Sequence, residues 1–168
     1  MTELDIHYQE LSGELIIDGK EFPRLEKVNC ASNFMLTKLI LLNLPKLKRI
    51  EAAQNRLTEL VITNSPEIDF LYIHDNQFPI QNLSFLSKFN KIEYLSLGNN
   101  LFYGSLRPLA NMEKLKNLFI EKTSLESGIE YLPKSVKKIH CTGKITEQLQ
   151  DYKESLYGGR VISYNYRS

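Results

Sequence analysis

"LPKLKRIEAAQNRLTELVITNSPEIDFLYIHDNQF", Leu44 to Phe78, carries one phrase twice. Leu47, Ile50, Ala52, Asn55 and Leu57 match L-x-x-L-x-L-x-x-N-x-L. Ile68, Leu71, Ile73, Asn76 and Phe78 match it again 21 residues later. The phrase extends in both directions. Upstream it falls on Leu25, Val28, Cys30, Asn33 and Met35. Downstream it falls on Ile92, Leu95, Leu97, Asn100 and Phe102, then on Leu115, Leu118, Ile120, Thr123 and Leu125. A looser copy uses Val136, Ile139, Cys141, Lys144 and Ile145. Six copies in phase define a repeat protein rather than a chance match.

The spacing has a physical cause. The L-x-L centre alternates as a strand does, so two residues point inward and the one between faces solvent. One turn of chain cannot bury that apolar side alone, whereas stacked turns bury it against each other and pair their strands in parallel. The asparagine follows the strand, where buried main-chain groups need partners. An amide both donates and accepts. Asn33, Asn55, Asn76 and Asn100 are therefore expected to form a hydrogen-bonded structural ladder.

A second phrase lies halfway between the first ones. Leu36, Leu39 and Leu41, then Leu57, Leu60 and Ile62, repeat L-x-x-L-x-L, and Ser12, Leu15 and Ile17 do so approximately. Extended return arms are expected there. Past Pro79 the arms change. Ile80, Leu83 and Leu86, then Leu106, Leu109 and Met112, fall three apart, which predicts helical or 3₁₀ turns. "LDIHY" predicts an N-terminal cap strand. Leu149, Tyr152 and Leu156 predict a capping helix over 146–158, with Thr146 as N-cap and Gly158 as its stop. The expected organisation is one domain over 1–168. A cap and half repeat occupy 1–24, six repeats 25–145 and a C-terminal cap 146–168.

The stretch "LEKVNCASNFMLTKLILLNLPKLKRIEAAQNRLTELVITNSP" resembles nested leucine-rich repeats of 21 residues, written LxxLxCSxNxLTxLxLxNxPxL. "GSLRPLANMEKLKNLFIEKTSLESGIEYLPKSVKKIHC" is similar to repeats of fungal leucine-rich-repeat proteins, some of which carry them beside protein-kinase domains. The likeness covers about residues 11–142. It implies an α/β leucine-rich-repeat solenoid, a right-handed superhelix of about six parallel concave strands, and a general role in protein binding. It implies no catalytic or ligand residue, and no glycine-rich loop, HRD or DFG of a kinase occurs.

Composition narrows the functions. Apolar residues make 42% and charged ones 24%, so a packed core is expected. A net charge of +1 gives no general attraction to nucleic acid or to an anionic membrane. No apolar run approaches the ~20 residues of a membrane span, and no signal peptide is read in "MTELDIHYQEL". A cytoplasmic location and a monomer are the expectations. His74 and His140 fall three strands apart, ~14 Å, too far to share a zinc ion. Cys30 and Cys141 fall five strands apart, ~24 Å, which excludes a disulfide. No metal, cofactor or catalytic motif is expected. "NLS" at Asn82–Ser84 reads as a surface loop, and as a glycosylation sequon only in a secreted protein.

The expected function is protein–protein recognition without catalysis. Positions three, five and seven of the phrase face solvent on the main strands. They place Phe70, Tyr72, Tyr94 and Phe119 on three adjacent middle strands, with Arg49, His74, Glu121 and His140 around them. Ser96 and Gly98 are small, so a dip is expected between Tyr72 and Phe119. Clustered aromatics rimmed by charge have the composition of a binding hot spot. The other reading is a structural or regulatory segment of a larger polypeptide, or a self-associating scaffold, whose rings only brace the sheet.

Overall fold

The computed structural model describes residues 1–152. The chain forms a β-solenoid whose coils each contribute one strand to a parallel sheet. In spatial order these are β1 (Glu3–Asp5), β3 (Lys27–Asn29), β5 (Arg49–Glu51), β7 (Phe70–Tyr72), β8 (Tyr94–Ser96), β10 (Asn117–Phe119) and β12 (Lys138–His140). The register carries the sequence phase. Leu4, Val28, Ile50, Leu71, Leu95, Leu118 and Ile139 are successive partners across the sheet. From Val28 onward these residues are buried, while those on either side of each along the strand are mostly half-buried on the outer face.

The cap strand expected at LDIHY is β1, and it makes the main sheet seven-stranded where about six strands were expected. The expected cap and half repeat at 1–24 is a whole coil, because β1 pairs with β3 in the same parallel register as the rest. Its interior residues Leu4, Ile6, Leu11 and Leu15 are only partly buried, at the end of the described stack.

On the return side β2 (Ser12–Asp18), β4 (Met35–Leu42) and β6 (Glu59–Thr63) form a second parallel sheet. Leu15, Leu39 and Leu60 are in register across it, as are Ile17, Leu41 and Ile62. After Pro79 the arms shorten to single 3₁₀ turns at Leu83–Leu86, Arg107–Leu109 and Ile129–Tyr131, with β9 (Tyr103–Ser105) paired to β11 (Ser124–Ser127). Phe78 and Phe102 stack at 5.5 Å between centroids and are buried in the interior of this part of the stack. Helical arms of the kind an α/β class requires are absent among the described residues, and the described α-helix, α1 (Lys144–Tyr152), lies at the end of the stack.

Helix α1 begins earlier than Thr146. Gly143 adopts a left-handed φ of 68° and turns the chain directly into the helix. Thr146 sits inside the first turn, where its amide donates to the Gly143 carbonyl at 3.0 Å. Ile145 and Leu149 are buried on the last coils. The remainder of the expected cap, including Leu156 and Gly158, lies outside the described residues. Among the described residues no helix is long and apolar enough to cross a membrane.

Candidate functional site

Two corners hold the outer face in place. At the first, each strand ends in a left-handed residue followed by an inward asparagine. Ser32, Gln54, Asp75 and Asn99 have φ between 52° and 57°, and Asn33, Asn55, Asn76 and Asn100 follow them. Each asparagine ties two coils together. Asn55 Nδ2 donates to Cys30 O (3.0 Å) of the coil before and Ala52 O (3.3 Å) of its own. Asn76 Nδ2 donates to Ala52 O (2.9 Å) and Ile73 O (3.1 Å). Asn100 Nδ2 donates to Ile73 O (2.9 Å) and Leu97 O (3.0 Å). Asn33 reaches Ile6 O and Cys30 O in the same way. The ladder thus runs through main-chain carbonyls rather than from amide to amide. On the fifth full repeat Thr123 Oγ1 donates to Ile120 O at 2.8 Å, so it holds its own coil only.

At the second corner Gly19 N donates to Leu42 O, Asn43 N donates to Thr63 O, and Asn64 Nδ2 donates to Asn43 Oδ1 at 2.7 Å. A Cβ at position 19 would lie 1.7 Å from the Asn43 carbonyl oxygen, so only glycine fits.

The frame fixes three rows of side chains across three adjacent coils. Tyr72, Ser96 and Phe119 are in register. Beyond the strand ends the pairing continues, with Ile73 N to Ser96 O, Asp75 N to Gly98 O, Leu97 N to Phe119 O and Asn99 N to Glu121 O, all between 2.8 and 3.0 Å. The next two rows are therefore His74, Gly98 and Glu121, then Asp75, Asn99 and Lys122. These nine residues and Thr142 line a groove of about 770 Å³. The middle of the first two rows is small. Ser96 is buried, and its hydroxyl meets His74 Nδ1 at 2.9 Å. Gly98 has no side chain, and a Cβ there would lie 3.0 Å from both the carbonyl oxygen and Oε2 of Glu121. The Glu121 carboxylate thus leans over the glycine floor.

The remaining sequence-selected residues lie outside the groove. Arg49 Cζ stands 3.6 Å over the Phe70 ring and 5.9 Å from the Tyr72 ring, and its Nε is bound by Glu51. Phe70 stacks on Tyr94 at 5.0 Å and tilts against Tyr72 at 4.2 Å. On the far side Phe119 stacks on His140 at 4.6 Å, with Lys138 Nζ at 5.7 Å from its centroid. Burial, then Lys138, holds His140 below its ordinary pKa, against the pull of Glu121. Tyr72, His74, Phe119 and Glu121 come together. Arg49, Phe70 and Tyr94 form a packed flank beside them, and His140 backs Phe119.

Asp75, Asn99 and Lys122 were not among the expected site residues. They occupy the left-handed position before the ladder, one place past the alternation of the strand. Asp and Asn tolerate that conformation better than most residues, and that is the signal that marks them. Asp75 Oδ1 accepts from Asn99 Nδ2 at 2.6 Å.

Among the described residues no group of three or more His, Cys, Asp or Glu is placed to hold a metal ion. Cys30 and Cys141 are buried, and burial pushes the Cys30 thiol up to about 12. Compared with known proteins, the chain matches no family model and no curated sequence.

Proposed function

We propose that the chain is a leucine-rich-repeat recognition module without catalytic activity, which binds a protein partner on the outer face of its main sheet. The in-phase L-x-x-L-x-L-x-x-N wording supports the family reading. The observation that carries the binding reading is the groove between Tyr72 and Phe119. It is walled by aromatic rings, floored by Ser96 and Gly98, and edged by His74, Asp75 and Glu121. Aromatic anchors around a concavity with polar edges are what interface hot spots are made of. Flat strands with the same register would offer no such recess.

The competing reading is a structural segment whose rings only brace the sheet. The Phe70–Tyr94 and Phe119–His140 stacks favour it, since both rings already have partners within the chain. The groove-facing sides of Tyr72 and Phe119 distinguish the two. Affinity capture from native cell extract should be compared between wild type, Tyr72→Ala plus Phe119→Ala, and Glu59→Ala on the opposite sheet. Loss of a specific partner with the aromatic pair alone supports recognition, at roughly thirtyfold in affinity per hot-spot ring. Retention of the partner by a folded double variant removes it.

A further inference from the structure

The outer face shows how this protein holds a cation. Arg49 lies flat on Phe70 at 3.6 Å, within reach of Tyr72 at 5.9 Å, and its Nε is bound by the Glu51 carboxylate. Three elements make that arrangement: an aromatic face, a second ring beside that face, and an acid at the edge. A guanidinium suits it because the group is planar, weakly hydrated and able to stack while it donates in its own plane.

The groove again offers two rings and an acid, two coils along, with the rings here set on opposite sides. Tyr72 and Phe119 are separated by one strand, which sets their attachment points ~9.6 Å apart. A planar cation midway along the sheet would be ~4.8 Å from each attachment point, a separation on the scale of the ~6 Å within which a cation and a ring attract. The residue between the walls is Ser96, too short to fill the space. Below it Gly98 opens the floor, and Glu121 Oε2 projects over that glycine. His140 Nδ1 lies 3.8 Å from Glu121 Oε1, beyond hydrogen-bond distance. Asp75 adds a second carboxylate at the same end, held by Asn99. Lys122 opposes these charges, but its side chain is exposed at the rim. Two carboxylates against the exposed amine of Lys122, with Lys138 beside Phe119 but not among the groove's lining, leave the groove suited to a positive group.

We infer that the Tyr72–Phe119 groove receives an arginine side chain of the partner protein, stacked between the two rings with its guanidinium on the Glu121 carboxylate. Lysine fits less well, because an ammonium cannot stack on two walls and donate in the same plane. The inference rests on the recognition reading above and gives it a chemical class of ligand.

The direct test is titration of the isotope-labelled chain with N-acetyl-arginine amide, followed by amide chemical shifts. The controls are N-acetyl-lysine amide and N-acetyl-citrulline amide, the second matching arginine in shape without its charge. Saturable shifts centred on Gly98 and Glu121 are expected for arginine. They should weaken about tenfold for citrulline and for Glu121→Gln, since a charge-assisted bond is lost in each case. Glu121→Gln keeps the size of the side chain, so the fold is retained. No saturable shift with arginine, or equal shifts with citrulline, would overturn the assignment. Partner capture separates the two levels of the argument. If Tyr72→Ala plus Phe119→Ala loses the partner and Glu121→Gln keeps it at full affinity, recognition stands and arginine falls. If both variants keep it, both fall.

Discussion

Asn76 reaches from its own coil to the one before it, its Nδ2 lying 2.9 Å from the carbonyl oxygen of Ala52. The same nitrogen also donates to Ile73 O, and its Oδ1 accepts from Leu57 N at 2.9 Å. Alanine at this position would leave buried main-chain groups of two coils without partners. Asn76→Ala is expected to cost roughly 1–3 kcal/mol for each group stranded. The readout is the urea midpoint, and an unchanged midpoint would mean that water replaces the amide at no cost. Thr123 offers the contrast, since its hydroxyl serves one coil only, and Thr123→Ala should cost less.

Gly19 is tied to the opposite corner by a different constraint. The obstacle to a side chain is the Asn43 main chain, which cannot rotate away as a side-chain tip could. Gly19→Ala must displace the next coil. It is expected to cost roughly 3 kcal/mol or more, the upper end for overpacking, and to lower Tm by roughly 6 °C or more. Thermal unfolding followed by circular dichroism checks this, and a Tm within a degree of wild type would contradict the close approach.

The coil period, the two strands per early coil and the change of arm near Pro79 were all legible in the sequence, because each is a periodicity of apolar residues. The alternation of LDIHY marks the seventh strand as a cap but not as a member of the main sheet. The first coil keeps Leu4 and Ile6 but has Gln9 where the others have asparagine, so its membership is visible only through pairing. The rows Tyr72–Ser96–Phe119 and His74–Gly98–Glu121 follow from alternation. The row Asp75–Asn99–Lys122 does not, because the backbone turns left-handed there and the two-residue period ends. The seat of Arg49 on Phe70 depends on rotamers, which no pattern of spacing specifies.

His140 gives the fold a pH dependence of definite sign. Its ordinary pKa is 6.5, and burial against Phe119, together with Lys138, lowers it in the folded state, with Glu121 opposing. A lowered folded value means that the unfolded chain binds the proton more readily. Stability is therefore complete above the unfolded value and declines as pH falls through it toward the folded one. Urea midpoints measured from about pH 7 down to about pH 5 should fall for wild type and fall less for His140→Gln. Parallel curves would show that His140 contributes nothing to the slope.

The open end of the main sheet is guarded by charge. Among the described residues β1 has β3 on one side and no strand on the other, which leaves its outer main-chain groups as an edge. Two copies meeting edge to edge about a two-fold axis through Leu4 would run antiparallel, and Glu3 of one would face Asp5 of the other. Like charges directly opposite destabilise such a pair. Both carboxylates are also held on the protein's own surface, Glu3 by Lys27 Nζ at 2.8 Å and Asp5 by His7 Nδ1 at 2.6 Å. The wild-type chain is expected to sediment as a monomer. Replacing both acids by threonine, which favours strands, removes the repulsion. The cost to the monomer is small, since exposed ion pairs contribute about 0–1 kcal/mol. Glu3→Thr plus Asp5→Thr should therefore shift sedimentation toward dimer as concentration rises, while Glu59→Ala on the second sheet should not. A double variant that stays monomeric across the same range would show that something other than these two charges keeps the edge apart.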